Sequence, residues 1–274
     1  MRLHMDRFLA ALVVYARRYL NTSTGDTNAE SIVYEYAERN HQPLTFNPKV
    51  VAFYASQLNH ENESELFARF LKGFDGDKDE RLLLVQMGFQ YNLDMGSILR
   101  RTYDIVISNE NTMEHHMECD NDGAFILDGT TPHYILNFLQ ALEWLLMDAS
   151  LYEMAIQEVN AMIRKVLAAR QVYLADTLVN AIPVEVLNND ILQAQDGSTL
   201  PYCLEELQGH ILLIECWTLY SSWESSQEAR PMVTEDKLET LKCTLAWKDK
   251  MMELTEKLEK RLQRLLTSSW LKGK

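Results

Sequence analysis

The chain reads as all-α: an irregular stack of antiparallel helix pairs, an α-solenoid, finished by one long C-terminal helix. Three observations predict this. Apolar residues recur at steps of three and four through most of the 274 residues. Gly and Pro number only ten and six, too few for turn-rich β structure. The periodic segments are about 10–17 residues long with short polar links, the rhythm of helices that turn back on one another. None of them can bury its apolar face alone, but side by side they can.

Asp6 to Tyr19 forms an amphipathic segment closed by the polar cluster Asn21 to Gly25. Asn28 is placed to cap a helix over Glu30 to Arg39, with Ile32, Val33, Tyr36 and Ala37 inward. Pro48 suits a first helical position and opens PKVVAFYASQL. Glu63 to Lys72 carries Leu66, Phe67, Phe70 and Leu71, and the link GFDGDKDE leads into RLLLVQMGFQYN. Asp94 is a cap for the next helix, with Ile98, Leu99, Tyr103, Ile105 and Val106.

From Leu136 to Pro183 three helices follow in close succession. The first has Leu136, Leu139, Leu142, Leu145 and Leu146; the second has Ala155, Val159, Ile163 and Leu167; the third stops at Pro183, which lacks a backbone donor. After a break at Asn188 to Pro201, Leu204 to Glu228 is helical. The longest helix is expected over Glu235 to Leu271, with a stripe of Trp247, Met251, Leu254, Leu258, Leu262 and Leu265 that packs on the rest of the array. The expected organisation is a first helical part over 1–107, an acidic loop over 108–131, and a second helical part over 132–274.

Composition excludes several classes. Residues 1–20 carry four Arg against one Asp, and residues 248–274 carry eight Lys or Arg against four acids. The net −14 of the chain is therefore concentrated to −21 in between. Such a body repels phosphate backbones, so no direct nucleic-acid binding is expected. No apolar run is long enough to span a bilayer, so no membrane insertion is expected. The start, MRLHMDRFLAALVVYARRYL, mimics a signal peptide, yet Arg17 and Arg18 stand where a small-residue cleavage site belongs. Cys119, Cys203, Cys216 and Cys243 form no CxxC pair, which points to reduced thiols.

Catalytic chemistry finds no foothold. The run Met113 to Asp122 puts His115 and Cys119 on one helical face with Glu118 and Asp120 nearby, but it lacks HExxH and any paired Cys/His spacing. A metal-binding helical enzyme using 113–122 is the alternative from a different class, and zinc or iron in the purified chain would support it. Asp75 to Glu80 begins like a calcium loop, then places Glu80 and Gln86 where Gly and Glu are required. There is no GxSxG, GxxxxGK[ST] or GxGxxG. No catalytic residue, cofactor or metal ligand is assigned, and the chain is read as a non-enzyme.

A colinear series of residues carries a resemblance. Trp144-Leu145, Asp148, Asn160 to Lys165, Leu167-Ala168, Ala175 and Ile182-Pro183 resemble the C-terminal half of the nucleoporin 107 family, called nucleoporin 84 in some lineages. Ala52-Phe53-Tyr54 with Leu58 is similar to that family's FYxxxL helix, and Phe67 to Leu71 to the helix after it. Leu93-Asp94 with Ile98 and Thr102, and His210 to Tyr220, resemble later helices; the likeness runs over about Arg7 to Trp270. The resemblance implies a coat-related helical stack in the Y-shaped outer-ring complex of the nuclear pore. It implies binding to nucleoporin 133 through a C-terminal end and to nucleoporin 96 (145C in some lineages) through an N-terminal part. On that comparison the chain begins after the latter part and stops where members continue with further helices.

The expected function is thus a scaffold that supports transport of protein and mRNA at the nuclear envelope. Terminal helices of a stack lack a neighbour and are its adhesive surfaces. Leu266, Trp270 and Leu271 are the candidate partner contacts. A helical adaptor of a membrane coat shares the same stacking physics and is the nearer alternative.

Overall fold

The computed structural model describes residues 2–20, 26–40, 47–108, 129–187, 200–232 and 237–268. Among the described residues the protein is all-α, with twelve α-helices and no strand. They are α1 (Arg2–Tyr19), α2 (Thr27–Arg39), α3 (Pro48–Ala55), α4 (His60–Lys72), α5 (Lys78–Gln90), α6 (Met95–Ser108), α7 (His133–Leu145), α8 (Tyr152–Ala168), α9 (Val172–Asn180), α10 (Val184–Leu187), α11 (Leu200–Glu228) and α12 (Lys237–Thr267).

Helix boundaries follow local chemistry. Pro48 opens α3 behind the Asn47 cap, whose side chain accepts from the Val50 amide. Asp77 and Glu80 form a reciprocal capping box at the start of α5, so the acidic run that imitates a calcium loop is a helix start. Asp94 accepts from the Ser97 amide at 3.2 Å and caps α6. At α2 the cap is Asp26, not Asn28: its carboxylate accepts from the Asn28 amide at 2.9 Å. Two helices end with a non-glycine residue in the left-handed region. Asn92 (φ 58°) follows α5, with Leu93 N–H bonded to the Gly88 carbonyl, and Arg170 (φ 62°) follows α8, with Gln171 N–H bonded to that of Val166.

The described residues divide into two compact units that do not follow chain order: those up to 108 with 132–155, and 129–131 with those from 156 to 268. In the first, α2 packs on α1 and α3, α4 packs on α2, α3 and α6, and α6 packs on α7. Val33, Val51, Leu66, Phe67, Phe70, Leu71, Ile98, Leu99 and Trp144 form its core. Trp144 reaches that core from α7, beyond residues 109–128 in the chain, and the Arg81 guanidinium lies 5.5 Å over its ring. The buried face of α7 is Tyr134, Ile135, Phe138, Ala141, Leu142, Trp144 and Leu145, whereas Leu136, expected inward, is exposed.

In the second unit α11 packs on α9 and on α12. α11 and α12 run antiparallel: the Trp247 indole donates to the Ser226 carbonyl at 2.6 Å, that of Trp223 to the Thr255 hydroxyl at 3.0 Å, and Arg261 pairs with Glu215 at 3.1 Å. The α12 line facing α11 is Thr244, Trp247, Met251, Leu254, Leu258, Arg261 and Leu265. Arg261 takes the place expected for Leu262, which is exposed.

Candidate functional site

The surfaces that stand out are helix faces with exposed apolar rows, which no other described element of the same unit covers. On α1, the buried side consists of Ala10 and Val14. A second apolar row of Met5, Phe8, Leu12, Tyr15 and Tyr19 steps by three and four along the outside and is 50–68% exposed. His4, Arg7 and Arg18 lie exposed along it. The sequence signal for this row was a helix apolar on more than one side, a pattern that calls for more than one neighbour.

α12 repeats the theme. Beside its inner line runs Leu241, Leu245, Met252, Leu262 and Leu266, all exposed, with Lys248, Thr255 and Glu259 completing the same row. Near its middle lie aromatic rings of α11: Trp223, bonded to Thr255, is stacked with Tyr220, which meets Trp217 edge-on. On another side of α12 a groove of about 770 Å³ is lined by Leu219, Lys257, Lys260, Arg261, Gln263, Arg264 and Thr267. Lys257 and Lys260 are each held at 2.6 Å by Glu253 and Glu256 one turn earlier.

A polar groove between α4 and α6 centres on Glu65, which bonds Arg69 and Arg101 at 2.7 Å each. Partial burial opposes ionisation of Glu65, but the two guanidinium bonds outweigh it and hold its carboxyl below the usual range. This is an ion-pair lattice across a helix packing, without a nucleophile or base poised beside it. His210, almost fully buried on α11, is pushed down by that burial, against the pull of Glu206 at 3.5 Å. Among the described residues no group of three His, Cys, Asp or Glu is placed to hold a metal ion, and no helix is long and apolar enough to cross a membrane.

Of the predicted partner contacts, Leu266 lies on α12 and is 69% exposed. Trp270 and Leu271 lie outside the described residues, as does the 113–122 cluster.

The family described as "Nuclear pore protein 84 / 107" matches residues 2–274. The chain belongs to this family. It is similar to the nuclear pore complex protein Nup107 of Drosophila melanogaster, with 23% identity over 232 residues. The match takes in 83% of this chain but 26% of that protein, so the chain spans about a quarter of the relative's length. Proteins of the nuclear pore protein 84 / 107 family are components of the nuclear pore complex at the nuclear envelope, and the family is one of structural proteins, not of enzymes. In the structure several of the residues that carry the resemblance are packing residues. Trp144, Leu145, Ile163 and Ala175 are buried, and the buried Asn160 amide donates to the Cys203 carbonyl at 2.8 Å, tying α8 to the start of α11.

Proposed function

We propose that this chain is a scaffold segment of the nuclear pore outer ring, holding neighbouring nucleoporins at fixed spacing and so supporting passage of protein and mRNA. The observation that carries this reading is the pair of uncovered apolar rows on α1 and α12. Helix faces with leucine and aromatic residues at three- and four-residue steps are made to be covered by another helix. The cationic edge of the α1 row favours a neighbour with acidic flanks. The resemblance adds a specific docking partner, nucleoporin 133; Leu266, Trp270 and Leu271, chosen because the end of a helical stack lacks a neighbour, are the contacts proposed on this chain.

The test is to mix the chain with the C-terminal domain of nucleoporin 133 from the same source and measure mass by light scattering coupled to size exclusion. A stable one-to-one complex, weakened by Leu266→Asp with the helical content unchanged, is the expected result. Absence of a complex overturns docking of that partner on this chain. Phe8→Asp and Leu12→Asp on α1 provide the same test for a partner at the other row.

A further inference from the structure

The exposed row of α12 shares the spacing of its inner line but carries two opposite charges, Lys248 and Glu259, placed symmetrically about its centre. It steps through Leu241, Leu245, Lys248, Met252, Thr255, Glu259, Leu262 and Leu266 at alternating intervals of four and three, the 3.5-residue repeat of a coiled-coil seam. Two of its eight positions are charged. An apolar helix laid along this row would strand the Lys248 ammonium and the Glu259 carboxylate in the contact. A parallel copy would set lysine against lysine and glutamate against glutamate.

We infer that the row is a self-complementary seam on which a second copy of this chain docks antiparallel, about a two-fold axis passing between residues 253 and 254. In that register Lys248 meets Glu259 of the other copy, and Glu259 meets its Lys248. Leu245 meets Leu262, Leu241 meets Leu266, and Met252 meets Thr255, each pair occurring twice. The seam extends over ~38 Å at 1.5 Å per residue. Beside it, Met251 and Leu258 of the inner line and the rings of Tyr220 and Trp223 broaden the apolar strip. On its other flank Asp249 approaches Glu256 of the second copy, and the 2.6 Å bond from Lys260 already occupies Glu256. Among the described residues Lys248 makes no ion pair, and Glu259 accepts from Gln263 at 3.2 Å and feels the neighbouring Lys260 charge without an ion pair to it, so both side chains can turn to a second copy. The pairing goes beyond the scaffold role and competes with any neighbour seated on Leu266, whereas Lys248 and Glu259 belong to the self-pairing alone.

The experiment is sedimentation equilibrium of the whole chain, without partners, over micromolar to submillimolar concentrations. A reversible dimer is expected, and zero-length carbodiimide coupling should join Lys248 of one copy to Glu259 of another, recognised in mixed isotope-labelled protein. Lys248→Glu and Glu259→Lys should each weaken the dimer about tenfold or more, as each creates two like-charge contacts. The double exchange restores opposite charges in the same register and should return the constant to within about threefold of the original. A chain that stays monomeric throughout overturns the inference, as does a dimer indifferent to the single changes or one that the double exchange fails to restore. A monomer that still binds nucleoporin 133 leaves the scaffold role standing; a dimer that ignores nucleoporin 133 does the reverse.

Discussion

Glu30 is the most consequential charged residue in the first unit. Its carboxylate is paired with Arg17 at 2.7 Å, and both side chains are 8% exposed. Its other oxygen accepts from the Asn59 amide at 3.2 Å and the Asn62 side chain at 3.4 Å, at the capped start of α4. One carboxylate therefore ties α1, α2 and α4 together. Glu30→Ala leaves the guanidinium buried without its counter-charge and the Asn59 N–H without an acceptor; the expected cost is about 3–5 kcal/mol. Glu30→Leu with Arg17→Met removes both charges and keeps the volume, so the double change should cost far less than the two singles together, with a coupling of at least ~2 kcal/mol. Hydrogen exchange read by mass spectrometry on peptides from α1, α2 and α4 reports the opening free energy of this region without assuming that both units unfold together. A cost below ~1 kcal/mol for Glu30→Ala, or singles that simply add, would refute the argument that the pair is dry and mutually dependent.

Trp144→Ala should cost about 3–5 kcal/mol, because the ring is 1% exposed at the centre of the first core; urea unfolding followed by far-ultraviolet dichroism checks it. Arg170→Gly should stabilise the chain by up to ~1 kcal/mol, since glycine takes the left-handed φ of 62° without a Cβ penalty; a lower melting temperature counts against it. Burial depresses the His210 pKa below its ordinary 6.5, with Arg164 adding to the depression and Glu206 opposing it. The unfolded chain then takes up a proton that the folded site resists, so stability is lost as pH falls below about 6.5. The melting temperature of His210→Gln should accordingly decline less steeply than that of the parent between about pH 7.5 and 5.5; parallel declines would remove His210 as the cause.

What was legible in the sequence was what local chemistry decides. Pro48 and Asp94 set helix starts through bonds that reach no further than one turn. Distant pairing was not legible. Glu30 looks like one more surface acid of a first helical turn until Arg17, 13 residues earlier, arrives beside it. Leu136 shares the leucine spacing of α7, but bulkier Tyr134, Phe138 and Trp144 claim the core side and rotate it outward. On α12, an apolarity count assigns Leu262 inward, yet half-buried Arg261 stands there and delivers its charge to Glu215. Contact residues for partners were the least legible, because an apolar row awaiting a neighbour has the same pattern as one that has it.

The antiparallel α11–α12 hairpin has a mechanical consequence. Its inner line engages α11 from Trp247 at Ser226 to Arg261 at Glu215, so force applied along the helix axes in opposite senses loads every contact at once. Leu200 and Thr267 lie at the same open end, and traction that separates them breaks the contacts one turn at a time from that end. The hairpin is stiff against sliding and weak against peeling. Pulling along α12 leaves the hairpin closed, and pulling across it opens it turn by turn.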